Sequence, residues 1–328
     1  MDGNILAVRT SELSTYRSCR QKWAWAYLEK IRSKSNSAPL AFGTLIHETL
    51  ARFYKPGIKR GGHPAAIWEE VFAEFIAEGN EDFIAIKAGP IYASELGLSM
   101  MQQYWELYGK DNQFKIIEPE QSFQLDIFDE NDDYLCTYTG TVDAVVEDRK
   151  TKRRGFFEHK TGASLDPFGA PLILDEQCGA YWTFGQMFLQ SMGVIGEEEC
   201  LDFVLYNRLR KTIPDNRTKN EDGHYVNKNG TISKSQPPPM FKREYSWRTD
   251  AERQSVYDRV VLQVKEMKMV RSGELGIYKN PDKHCGWCEF RDMCEVHESQ
   301  SDWVAIRNAT MTTWDPYEDH NDKLGESK

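Results

Sequence analysis

The stretch "GFFEHKTG", residues 155–162, sets two phenylalanines ahead of a glutamate, a histidine and a lysine, with a glycine closing the run. Side chains on a strand alternate between faces, so residues i and i+2 share one. Glu158 and Lys160 then stand side by side, and His159 turns away. A solvated ion pair of this kind contributes little to stability. At the end of an apolar strand, however, a carboxylate beside an ammonium also suits metal-assisted hydrolysis, and the surrounding sequence decides between the two.

Residues 114–127 and 134–147 alternate apolar and polar side chains and are rich in Thr, Val and Phe, which predicts strands. The second carries "GTVD" (140–143), and the basic turn "RKTKRR" (149–154) leads from it into the Glu158 strand. A hairpin brings an acid on each of two neighbouring strands to within a few ångströms. Asp143, Glu158 and Lys160 together form a hard-oxygen site of the kind that binds Mg²⁺ or Mn²⁺. A bound ion lowers the pKa of water and offsets charge on a phosphate, while the lysine orients that water or stabilises developing negative charge. Such a site is suited to cutting phosphodiesters.

Four motifs, these two included, bear on this. "GTLIH" (43–47) ends in His47, "GTVD" ends in Asp143, "EHKTG" (158–162) carries Glu158 and Lys160, and "QCGAY" (177–181) puts Gln177 and Tyr181 on one helix face. Taken in this order they resemble the RecB-type branch of the PD-(D/E)XK nuclease superfamily. The resemblance spans residues from about 10 to 298. It implies a restriction-endonuclease-like core of α/β (α+β) class, with a mixed central sheet flanked by helices. It also implies Asp143 and Glu158 as Mg²⁺ or Mn²⁺ ligands, His47 as a further ligand, Lys160 acting on the attacking water, and Gln177 with Tyr181 positioning the DNA strand. Glu120, in "EPEQSF", occupies the place of another acidic ligand in this branch, and Glu118 competes for it.

Seven cysteines are present, an odd number that argues for metal or redox chemistry over a disulfide framework. Cys285, Cys288 and Cys294 lie in "CGWCEFRDMC", and Cys19 lies near the other end. This arrangement is similar to the iron–sulfur members of the same branch, including the CRISPR-associated RecB-like exonucleases and their bacteriophage relatives. The resemblance implies a 4Fe–4S cluster on these four thiolates. Zinc is the rival, since Cys₄ and Cys₃His sites have similar spacings and His284 and His297 are near. Either group would join residue 19 to residue 285, a cross-link whose chain-entropy value is about 5–6 kcal/mol. Cys136, Cys178 and Cys200 lie in apolar patterns and read as packing residues.

Helical spacing predicts helices over 11–31, 42–54, 64–79 and 90–109, then over 175–192 and 249–272, with a strand at 201–207. Strands followed by helix and strand predict a mixed sheet with helices packed on it. Residues 208–243 are polar, basic and broken by Pro and Gly, too long for an ordinary connection. They read as an insertion whose cations, from Arg208 and Lys211 to Lys242 and Arg243, could flank DNA, with Tyr225 or Trp247 stacking on bases. The organisation expected is an N-terminal helical arm (1–40), a helical region (41–112), the nuclease core (113–207), the insertion (208–243), a C-terminal helix with the cysteine cluster (244–298) and a tail (299–328) that is mobile after Pro316.

The bulk numbers agree with an ordered enzyme of 328 residues: 40% of residues are hydrophobic, and the net charge of −10 rules out a uniformly basic nucleic-acid binder while leaving local basic clusters. No run of about 18 apolar residues is present, so the expectation is a protein without membrane contact in the cytoplasm of a bacterial or phage-infected cell. The function expected is metal-dependent exonuclease action on single-stranded DNA ends in recombination, repair or phage DNA processing. The alternative is a DNA-end-binding or recombination-complex subunit, helicase-associated or CRISPR spacer-processing, with little independent nuclease activity. The chain contains no helicase motif, so a motor would be a separate partner.

Overall fold

In the computed structural model, which describes residues 7–34, 38–80, 89–165, 172–215 and 217–318, the chain starts with a short strand, β1 (Ala7–Val8), and a helix, α1 (Thr10–Ser18). The single helix predicted over 11–31 is divided. Cys19 adopts an extended conformation (φ −162°, ψ 114°), after which α2 (Arg20–Trp23) runs into a wider turn over Ala24–Leu28. Contacts from the far end of the chain hold the break: Asn280 donates to Ser18 O at 3.0 Å, and Gln21 N donates to Tyr278 O at 3.1 Å. No glycine or proline marks it, because tertiary contacts override local helix propensity there.

After β2 (Ile31–Ser33) come three helices, α3 (Ala38–Phe53), α4 (Pro64–Ala77) and α5 (Pro90–Tyr108). The last two open on prolines, whose missing amide costs nothing in a first turn. A meander of β3 (Phe114–Phe128), β4 (Tyr134–Asp148) and β5 (Arg154–Gly162) follows. The helix predicted over 175–192 is α6 (Glu176–Ala180), a widened turn at Tyr181–Gly185, and α7 (Gln186–Ser191). Strand β6 (Phe203–Arg210) lies parallel to β5, and β7 (Phe241–Ser246) lies antiparallel to β6. The six-stranded sheet, in the order β1-β4-β5-β6-β7 with β3 on β4, is therefore mixed. Strand β7 corrects the sequence reading: both ends of the predicted insertion belong to the sheet, because Phe241 is buried against the helices and Arg243 is paired inside the fold.

The cap of α8 (Asp250–Ser272) is reciprocal, Thr249 accepting from Glu252 N and Glu252 from Thr249 N. Beyond it lie α9 (Arg291–Glu298), α10 (Trp303–Thr310) and β8 (Met311–Thr313), the last antiparallel to β2. Part of the expected tail is thus structured. Tyr317 is tied to the amino-terminal region, donating to Ala7 O at 3.1 Å and bonding Glu12. The rest of that tail, from residue 319, lies outside the described residues.

Helices cover both faces of the sheet. One core gathers Tyr16, Tyr138, Phe156, Phe184 and Val264 beneath α1, α6, α7 and α8; the other gathers Phe42, Trp68, Tyr104, Phe157 and Leu205 beneath α3, α4 and α5. Consecutive residues Phe156 and Phe157 enter opposite cores, as strand alternation requires. Strand β3 occupies one edge of β4 along its length, so β1 and β5 must share the other. Strand β1 pairs with Thr137 and Tyr138, and β5 with Ala144 to Glu147. Between them, residues 139–143 of β4 have no strand neighbour on that edge among the described residues, and this notch positions the site.

Candidate active site

Gly43 sets the height of α3 over the sheet. A Cβ at this position would lie 3.0 Å from Thr161 Oγ1 on β5, so only glycine allows this approach without displacement. One turn later, His47 Nδ1 stands 2.9 Å from Asp143 Oδ1 at the notch in β4. The other carboxylate oxygen, Asp143 Oδ2, accepts from the backbone N–H of His159 at 2.6 Å.

Strand alternation places Glu158 and Lys160 on the α6 side, as the sequence predicts. Lys160 Nζ is 2.6 Å from Glu158 Oε1 and donates to Gln177 Oε1 at 2.6 Å. Gln177 Nε2 donates to Glu158 Oε1 at 3.3 Å and to Tyr181 OH at 2.6 Å; Tyr181 in turn donates to Thr141 O at 2.8 Å. The widened helical turn that begins at Tyr181 supports this register, a device common at functional sites. Helices from opposite faces of the sheet thus meet at one notch, with all six predicted side chains in two hydrogen-bonded groups around β4 and β5.

Glu158 is only 3% exposed. Burial, the largest influence, and the neighbouring Asp143 carboxylate push its pKa up to about 7 despite Lys160. For Asp143 burial acts in the same sense, but His47 and the His159 amide outweigh it and hold the carboxyl well below the usual range. Burial disfavours the charged forms of His47 and Lys160, yet the carboxylates beside them prevail and raise both. The site therefore has one buried acid and one partly buried acid, set beside an ammonium and an imidazole.

His159 turns to the opposite face, as expected, and a role for it there was not legible in the motif. It stacks on Tyr54 with ring centres 5.6 Å apart, its Nδ1 lies 2.9 Å from Asn207 Nδ2, and burial lowers its pKa to about 3. Beneath it Arg243, Asp111, Tyr54 and Tyr104 form a buried polar cluster. Glu120 occurs between the register pairs Pro119–Ala144 and Gln121–Val142, level with Asp143, at a φ of 44°. Glu118 is exposed.

Residues 10–295 match the PD-(D/E)XK nuclease superfamily, most of the chain. The chain belongs to that superfamily. A search of curated proteins found no match. Membership makes the protein a nuclease by family, and nucleases of this superfamily act on DNA with divalent metals such as Mg²⁺ or Mn²⁺. The donor chemistry fits such an ion: two carboxylates and an imidazole are neighbours, and burial with the Asp143 carboxylate pushes the Glu158 pKa up to about 7, which a cation would offset. Among the described residues no three His, Cys, Asp or Glu side chains are drawn to single-ion distances; Asp143 and Glu158 instead contact His47 and Lys160. No described helix is long and apolar enough to cross a membrane.

The four cysteines meet elsewhere. The break after α1 turns Cys19 toward the loop of Cys285, Cys288 and Cys294, and all four line one cavity of about 460 Å³. All four are free thiols. His284 lines the same cavity, whereas His297 packs between Trp25 and Trp303. Cys136 and Cys178 are buried as expected, but Cys200 is exposed near Arg253, so the packing role assigned to it is corrected.

Several cations expected to flank DNA are used internally. Arg243 is paired with Asp111, Arg208 is buried beside Glu244, and Arg217 binds Asp215 while Arg217 and Lys219 cover the Tyr225 ring. Trp247 is exposed and stacks on Tyr245.

Proposed function

We propose that the protein is a RecB-type, metal-dependent DNA exonuclease that carries a 4Fe–4S cluster and acts at single-stranded DNA ends, similar to the CRISPR-associated RecB-like exonucleases and their phage relatives. The observation that carries this reading is the convergence of His47, Asp143, Glu158, Lys160, Gln177 and Tyr181 on the notch between β1 and β5. Asp143 and Glu158, with His47, would hold Mg²⁺ or Mn²⁺, and Glu120 is a further candidate at the same level of the sheet. When bound, the ion neutralises charge on the scissile phosphate. Lys160 orients the attacking water, Gln177 holds Lys160, and Tyr181 keeps Gln177 facing the strand. As the water oxygen bonds to phosphorus it gives up a proton to solvent, the bond to the departing oxygen breaks, and that oxygen takes up a proton from solvent.

Cys19, Cys285, Cys288 and Cys294 would bind the cluster. That all four thiols line one cavity supports a shared group there, and the likeness of their spacing to the iron–sulfur members of the branch favours the cluster over zinc. The cluster's work is to join the two ends of the chain. A role in recombination, repair or phage DNA processing, with a helicase or recombination partner, belongs to the same reading.

The test is anaerobic purification with iron, sulfide and zinc analysis, followed by digestion of single-stranded DNA labelled at either end with Mn²⁺ present. Release of nucleotides from one end by the wild type, and loss of cleavage in Lys160→Ala, are expected. Intact DNA, or unchanged cleavage by Lys160→Ala, overturns the enzymatic reading; binding without cutting favours an end-binding subunit. Zinc without iron overturns the cluster.

A further inference from the structure

A groove of about 690 Å³ leads away from the catalytic network between α1, the notch in β4 and the start of α6. Gln177 and Tyr181 line it as well as belonging to the network, so the groove adjoins the site. Its opposite wall is the first turns of α1, with Arg9, Ser11, Ser14 and Arg17. Arg9, at the capping position of that helix, makes no side-chain capping bond, and Glu12, the acid of the first turn, is buried and engaged by Trp23 and Tyr317. Its floor includes Thr139, which is 2% exposed and whose buried hydroxyl has no hydrogen-bond partner among the described residues. A buried hydroxyl without a partner is costly, and it sits where strand pairing of β4 lapses. The acids of the groove are engaged: Asp175 caps α6 and accepts from Tyr206, while Glu176 lies 3.8 Å from Arg17 and 3.6 Å from Arg259. Leu174, 72% exposed, adds an apolar surface at the rim.

We propose that this groove seats the nucleotide next to the scissile phosphate, its own phosphate set against the amino-terminal end of α1 with Arg9 and Arg17, and its sugar or base against Leu174. This deepens the nuclease reading and rests on it. The volume suits a single nucleotide unit in a cleft of ordinary ligand size. Hydroxyls, helix amides and guanidinium groups form a donor set for a phosphodiester oxygen. Arg9 is kept in place by the C-terminal segment, its guanidinium 5.1 Å from the Tyr317 ring centre.

Binding of a fluorescent single-stranded oligonucleotide, measured without divalent metal across a range of salt concentrations, tests the proposal independently of cleavage. The Arg9→Ala/Arg17→Ala variant is expected to lower the slope of log affinity against log salt by roughly 1.4, about 0.7 for each lost phosphate contact on a single strand. Ser11→Glu separates binding from folding. A carboxylate in the first turn of α1 favours the helix, yet it repels a phosphate, so affinity should fall about tenfold at low salt while the thermal midpoint holds or rises. Wild-type affinity and slope in both variants, with cleavage by the wild type intact, would overturn the subsite and leave the nuclease reading standing. A wild type that neither binds nor cuts the strand would overturn both.

Discussion

Replacing Arg243 with methionine tests whether the charge beneath the site is structural. Arg243 donates to both carboxylate oxygens of Asp111, at 3.1 and 2.5 Å, and lies 3.7 Å from the centre of the Tyr108 ring. Asp111 also accepts from Tyr54 OH at 2.7 Å. Burial opposes the charge on Arg243, yet the surrounding tyrosines and Asp111 hold its pKa above the usual arginine value. Methionine preserves much of the volume but leaves Asp111 buried with its hydroxyl donor and without its paired cation, Arg60 donating only to its backbone carbonyl. Removing one partner of such a pair costs about 3–5 kcal/mol, or roughly two to three and a half orders of magnitude in the folding equilibrium constant. Urea unfolding followed by circular dichroism should show the midpoint falling by the corresponding amount at constant slope. Asp111→Leu combined with Arg243→Met should recover most of the loss, because an apolar pair removes the stranded charge. A single variant within about 1 kcal/mol of wild type, with weakened DNA binding, would refute the argument and return Arg243 to the DNA-facing role predicted from sequence.

Three further outcomes follow from the same geometry. Gly43→Val pushes a side chain into Thr161 and lifts His47 from Asp143, so cleavage should fall about tenfold to a hundredfold with a stability loss of about 1–3 kcal/mol; equal rates for both proteins in a Mn²⁺ assay would contradict the packing argument. With a pKa near 7, Glu158 is neutral below that value and charged above it, so Mn²⁺ affinity should weaken about tenfold per unit as pH falls below 7 and level off above it; calorimetric titration across that range checks the sign. Cys19→Ser opens the link between the two ends of the chain, and iron content and thermal midpoint should drop together; an unchanged midpoint in the iron-free variant would deny the cavity a structural role.

The strand carrying Glu158 and Lys160 was legible because alternation sorts faces without knowledge of the fold, and the motifs at His47, Asp143 and Gln177 are local spacings that survive folding intact. The break at Cys19 was not legible. Its cause is hydrogen bonding to Tyr278 and Asn280, more than 250 residues away in the chain. Strand β7 was hidden for a different reason. Its cations read as solvent-facing, and Asp111, in the turn between α5 and β3, pairs with Arg243 and turns it inward. Cys200 shows the opposite error, since an apolar neighbourhood in sequence did not become one in space.

Placement of the site follows from how β4 is shared. A sheet edge that is paired throughout offers no backbone acceptor and no gap for a side chain from the next strand. Because pairing of β4 with β1 stops at Tyr138 and its pairing with β5 begins at Ala144, the intervening backbone is left to side chains: Tyr181 reaches Thr141 O, and Asp143 reaches back to the His159 amide. The same interruption admits α3 from one face and α6 from the other, which a continuous sheet would keep apart. On the proposed reading, acids and strand-positioning groups from both layers would act on one phosphate, and the unpaired stretch of β4 would give the DNA strand a course toward α1. Extending β1 by engineered pairing across residues 139–141 would be expected to close that course while leaving Glu158 and Lys160 in contact.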